Sequence, residues 1–279
     1  MTSSALPAVA REELREAVRL LVSASFAVRL ADYADQPLNR AISVIPRLNR
    51  ALHKAVNAAI FRCLEVAIDS LEEEQFPPSA WLPKAMTGLT GGIGGLFGPL
   101  ALPIELPLTT TLMLRSIADI ARYQGEDLTG IEGRLACLEV FALGGRQPKS
   151  KTDLGYYAVR TMFAKLSSEL VTYVMERSML DLSAPVATRL VGEVAGRFGV
   201  VVSERAAASA VPILGAVSGA TLNVIFMHHF ERIATAHFTL RRLERQHGNV
   251  AVSQLYDEFA LQMRDGLGGA STQLTPRPH

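Results

Sequence analysis

Apolar residues recur every three to four positions along most of this chain, which is the mark of helices that bury one face. The stretch REELREAVRLLVSASFAVRLADYA predicts a helix over about 9–34. Pro37 and Pro46 punctuate the chain, and a second helix is expected over about 46–74, where Leu48, Leu52, Val56, Ile60 and Leu64 fall at helical spacing. FPPSAWLPK reads as a connector. A helix over about 128–143 should stop at Gly144-Gly145, and GRQPKSKTD reads as a polar loop. Further helices are expected at about 153–180, 185–208, 211–247 (ending at Gly248) and 250–264. No sustained period-two alternation occurs. The expected fold is therefore all-α: a single multi-helix domain over about 9–265. Residues 1–8 should form a frayed N-terminus and the polar, turn-rich residues 266–279 a disordered tail.

Two runs break the amphipathic rhythm. From Met86 to Leu114 the sole charge is Glu105, and from Ala206 to Phe230 there is no Asp, Glu, Lys or Arg. Both exceed the roughly 20 residues a membrane-spanning helix needs. Their texture argues otherwise. The first run holds Pro99, Pro103, Pro107 and six glycines from 88 to 98; the second holds Pro212, Ser209, Ser218, Asn223 and two histidines. The runs fit a central Gly/Pro-rich apolar hairpin inside a helical domain, and they fit equally a segment that enters or lies on a bilayer. In the second case Leu89, Ile93, Leu96, Phe97 and Leu100 are the membrane-contact candidates. Small residues one turn apart (Gly88/Gly92, Gly91/Gly95, Gly94/Gly98, Gly192/Gly196, Gly215/Gly219) suit close helix packing in lipid or in a soluble core.

A helix drawn from Glu105 at about 100° per residue puts Thr109, Leu112, Ser116 and Asp119 on one stripe, with Arg115 and Arg122 about a quarter turn away. The remaining surface of that helix is apolar. Glu105 between Pro103 and Pro107 also suits the positive start of a helix. On the last long helix, Asn223, His237 and Arg241 share a stripe with Met227, Phe230 and Ala234. The two stripes are expected to meet, either as a satisfied buried network or as a small polar site below an apolar cavity.

Composition narrows the function classes. The chain has 279 residues, with 28 Lys+Arg against 27 Asp+Glu, so it lacks the basic excess of a general nucleic-acid binder. Hydrophobic residues make up 49%, charged residues 20%, and mean hydropathy is +0.21, which excludes wholesale disorder. Two cysteines, Cys63 and Cys137, exclude a disulfide framework and a cysteine zinc site and suit a reducing cytoplasm. The start of the chain carries no basic segment followed by an apolar run, so no signal peptide is expected.

Motif chemistry is sparse. GGIGGLFG fits neither phosphate-binding glycine pattern, and GAVSG is not the hydrolase elbow. His228 and His229 diverge by about 100° on a helix and cannot share an ion. His228 with Glu231 makes an i,i+3 pair that, facing Glu105 or Asp119, would suggest a carboxylate-bridged metal, but the matching E-x-x-H on a second helix is missing. No metal and no cofactor is expected. Arg40, Arg47, Arg50 and Lys54 share a helix flank, and Arg241, Arg242 and Arg245 cluster further on; each is a solvated face or a contact for anionic lipid.

Several long stretches carry a resemblance. LPIELPLTTTLMLRSIADIARYQGEDL, then RLACLEVFALGG and DLGYYAVR, resemble the EcsC family of bacteria. VPILGAVSGATLNVIFMHHFERIATAHFTLRRLERQHG is similar to that family's second signature, with an Asn in the small-residue helix and a closing HF-x-x-R-x-LE. The resemblance covers roughly residues 15–250. The family is named for a gene beside an ABC exporter. The resemblance implies a bacterial, helical, membrane-associated protein and hands over no catalytic residues. Its motif positions Glu105, Arg115, Asp119, Glu139, Asn223, His237 and Arg241 join Thr109 as ligand or polar-core candidates.

The preferred expectation is thus a non-enzymatic protein at the cytoplasmic membrane face, peripheral or partly inserted, that binds lipid or a membrane protein such as an ABC transporter. The alternative is a hydrolase of an apolar substrate, with Glu105 or Asp119 as general base and His237 as acid. A scaffold that pairs with itself through its small-residue faces is a third reading.

Overall fold

A computed structural model describes residues 6–22, 48–69, 102–145, 155–177, 183–209 and 219–272. Among these the chain is all-helical, with eight helices and no strand. They are α1 (Ala8–Val22), α2 (Leu48–Asp69), α3 (Leu102–Tyr123), α4 (Ile131–Gly144), α5 (Tyr156–Arg177), α6 (Pro185–Ser209), α7 (Gly219–His247) and α8 (Asn249–Thr272). α4 starts at Ile131 rather than 128, because Asp127 organises the turn before it. Its Oδ1 accepts the amide of Thr129 at 2.8 Å and the Thr129 hydroxyl at 2.6 Å, which holds the carboxyl below its usual range. α8 runs on to Thr272, so residues 266–272, expected in a disordered tail, are helical.

The chain divides into two compact units, Met1–Ser23 with Thr235–His279, and Ala24–Ala234. In the first, α1 packs on α8. Ala10, Leu14, Ala17, Val18 and Leu21 are buried on α1, and Val252, Tyr256, Phe259 and Ala260 on α8, both sets at helical spacing. At the edge, Arg242 Nη2 donates to Glu13 Oε2 at 3.0 Å, and the Arg15 guanidinium lies 4.8 Å above the Phe259 ring.

In the second unit, α2 packs on α3, α4 and α6, and α4 also touches α3, α5 and α6. α4 is the innermost helix, buried continuously from Gly133 to Gly144. Its sequence, IEGRLACLEVFALG, carries apolar residues on every side and so needs neighbours all round. Around its C-terminal end, Phe141, Phe198, Phe226 and Phe230 stack at 5.0–6.0 Å between centroids, each such pair adding about 0.5–1.5 kcal/mol beyond burial.

Glycines shape two of these junctions differently. α3 ends in a turn in which Gly125 (φ 72°) donates to the Arg122 carbonyl and Glu126 to the Ala121 carbonyl. This 5→2, 6→1 pair needs the left-handed conformation that glycine enters without strain. α4 stops at Gly144-Gly145 as expected, yet Gly145 has φ −80°. Its glycine is required by proximity: a Cβ there would fall on the Arg197 carbonyl oxygen, and one on Gly144 on the Phe230 ring. Gly192 and Gly196, expected to pack closely, are instead exposed, with nothing within 4 Å of an added Cβ.

Of the two charge-poor runs, residues 102–114 form the first half of α3, 206–209 end α6 and 219–230 begin α7; residues 86–101 and 210–218 lie outside the described residues. No helix among the described residues is long and apolar enough to cross a membrane.

Candidate polar site of the second unit

The polar stripe predicted on α3 begins inside the protein and ends outside it. Pro107 sits within the helix and cannot donate to the carbonyl four residues back. Threonines crowd the same turn. The hydroxyl of Thr110 donates to the carbonyls of Leu106 and Pro107 at 2.8 and 3.1 Å, and that of Thr111 to Pro107 at 2.8 Å. These bonds satisfy side chains that would otherwise be polar groups in a dry interior. Thr109 and Leu112 are buried, Ser116 is half-buried, and Asp119 is exposed.

Asp119 therefore corrects the expectation of a hidden line of ionisable groups. It lies at the last turns of α3, where the helix emerges, and it pairs with Arg122 at 3.1 Å. A solvated carboxylate already held by a guanidinium is a poor general base. Its pairing with Arg122 also leaves Arg115 without it.

α3 does meet α7, and among the described residues a polar contact joins Ser116 of the expected stripe to Glu231, a residue outside the stripe expected on α7. Ser116 Oγ donates to Glu231 Oε1 at 2.8 Å, and Glu231 Oε2 lies 2.9 Å from His228 Nδ1. This Ser–Glu–His row places the carboxylate between hydroxyl and imidazole. A nucleophile triad needs the imidazole in the middle, where it takes the hydroxyl proton. The row acts as a pin between helices. Sequence reading saw the His228–Glu231 pair and put Ser116 on the stripe, but had no signal for their meeting. No group of three His, Cys, Asp or Glu with metal-binding geometry occurs among the described residues.

The remaining candidates scatter. Glu139 is buried on α4. Glu105 and Asn223 lie in α3 and α7, and their side chains fall outside the described residues, as do Leu89, Ile93, Leu96, Phe97 and Leu100. His237 is fully buried, 4.8 Å edge-on to Phe238, and Arg241 is half-buried. Both belong to the first unit, whereas Asn223 and the α3 stripe belong to the second. α7 is thus divided between units, and its stripe with it.

Neither cysteine is a nucleophile candidate. Cys63 is fully buried where α2 meets α3, and burial pushes its thiol up to about 12, the nearby Thr110 hydroxyl countering only in part. Cys137 Sγ lies 3.5 Å from the Gly133 carbonyl.

Among the described residues three arginines are buried, and they differ in partners. Arg134 Nε donates to the Leu128 carbonyl at 2.6 Å; burial, then repulsion from Arg122, holds its pKa below the ordinary value. Arg205 lies 5.0 Å over the Phe226 ring. Arg115 is only 6% exposed, and among the described residues its Nε has no hydrogen-bond partner. His229, also buried, closes the end of α4: its Nε2 lies 2.9 Å from the Gly144 carbonyl.

The EcsC protein family model matches residues 3–243 of the chain. The chain belongs to the EcsC protein family. The match reaches into both units and includes every candidate from Glu105 to Arg241, while α8 lies beyond it. No curated protein and no solved structure matches this EcsC-family chain.

Proposed function

We propose that this EcsC-family chain works without catalysis at the cytoplasmic face of a membrane, binding lipid or a membrane-protein partner such as an ABC transporter. The observation that carries this reading is the run Met86–Leu114, whose only charge is Glu105 and whose last part, from Leu102, is the first half of α3. Apolar surface transfers from water at about 25 cal/mol per Å², so a modest part of such a run suffices as an anchor. The glycines and prolines that interrupt this run support a peripheral or partly inserted arrangement over a span; no helix among the described residues is long and apolar enough to cross a bilayer. The hydrolase reading has less support, since Asp119 is solvated and paired with Arg122.

Flotation of the purified protein with phosphatidylcholine vesicles, with and without phosphatidylglycerol, tests the proposal. The protein is expected to float with the vesicles. Leu96→Asp combined with Phe97→Asp should abolish flotation while leaving the helical circular dichroism intact. A wild-type protein that stays with the unfloated fraction on both vesicle types overturns the reading.

A further inference from the structure

Arg115 poses a problem that the described residues do not answer. A guanidinium remains charged at any accessible pH, and burying it without a counter-charge is costly. The other two buried arginines have a carbonyl and an aromatic face. Arg115 has no ion pair, hydrogen bond or ring contact among the described residues; the acidic side chain one turn on, Asp119, is taken by Arg122. Its buried neighbours on α3 are Leu112, Met113, Leu114, Ile117 and Ala118, all apolar, whereas the polar Thr111 and Ser116 are half-buried and Asp119 is exposed. Arg115 is also the first cation after the run Met86–Leu114.

We infer that Arg115 receives the oxyanion of an amphiphile, a phosphate head carried on an acyl chain. The planar fork of an arginine matches two phosphate oxygens at once, and the apolar side chains around it suit the chain rather than water. The inference deepens the lipid-binding reading, because it assigns that reading a head-group residue. It does not need a bilayer.

The test uses the full chain with two soluble probes, inorganic phosphate and a short-chain phosphatidic acid below its micelle concentration, read by thermal unfolding. The short-chain phosphatidic acid is expected to raise the melting temperature by about 5–10 °C at about 100 times its Kd. Inorganic phosphate alone should give a smaller shift, and equal shifts would assign the site to free phosphate rather than lipid. Arg115→Gln should bind the lipid probe at least about tenfold more weakly. Unliganded Arg115→Met should melt at or above the wild type, because it removes an uncompensated charge; a structural arginine would instead make Arg115→Met melt well below it. The inference is overturned if neither probe shifts the wild type, or if Arg115→Gln shifts equally. Flotation of Arg115→Gln separates the two readings: flotation retained with the probe response lost leaves membrane binding standing on the apolar run.

Discussion

The hydroxyl of Ser116 on α3 donates to Glu231 on α7 at 2.8 Å, across 115 residues of sequence. Glu231 in turn holds His228 one turn earlier on its own helix. Removing the hydroxyl leaves a half-buried carboxylate with one partner fewer. Ser116→Ala is expected to cost about 1 kcal/mol in urea unfolding, and Glu231→Ala about 1–2 kcal/mol. The double variant should cost less than the sum, which a double-mutant cycle measures. Strict additivity would show that the contact does not form in solution.

Glycines at two places should respond in opposite directions to the same change. Gly145→Ala drives a methyl onto the Arg197 carbonyl, a backbone atom that cannot step aside, and should destabilise by about 1–3 kcal/mol. Gly192→Ala puts a methyl into open space on the exposed face of α6 and should stabilise by up to about 1 kcal/mol. Chemical denaturation midpoints decide both.

Cys63 gives the protein an alkaline limit. Its thiol is raised from an ordinary 9.0 to about 12 in the fold, so the unfolded chain loses this proton first. The stability that this group contributes is fully present below about 9 and is lost as pH rises from there to about 12. Cys63→Ala should flatten that part of the stability curve relative to wild type. Native Cys63 should also resist a thiol reagent at pH 8 that labels the unfolded chain readily; rapid native labelling would contradict its burial.

Asp119 separates a surface carboxylate from a catalytic one. Because it is solvated and shared with Arg122 at 3.1 Å, Asp119→Asn should change stability by no more than about 0.5 kcal/mol and leave vesicle flotation unchanged. A large loss in either measurement would give Asp119 a role that its surroundings do not explain.

The helices were readable from residue spacing because a buried face repeats every three to four positions whatever covers it. α5 and α6 lie close to the expected limits, and the stop at Gly144-Gly145 was visible in the glycine pair. The reason for that pair was not visible: proximity to Arg197 and Phe230 is a tertiary fact, and local sequence offered only the turn-forming explanation. The α3 stripe was legible as a face, but where that face leaves the interior was not, since exposure of Asp119 depends on where α3 outruns its neighbours. The counterpart stripe on α7 shows a different limit. Helix geometry aligns Asn223 with His237 and Arg241, and it cannot tell that a unit boundary at Ala234/Thr235 divides them. Sequence places Arg115 beside the α3 stripe and as a motif position; its burial without a partner among the described residues is visible only in the fold.

The packing of α1 against α8 has a consequence for biosynthesis. Helix α1 is made before its apolar partners Val252, Tyr256 and Phe259, which lie far downstream in the sequence. Leu14, Val18 and their neighbours therefore wait, uncovered by α8, until that distant stretch has been synthesised.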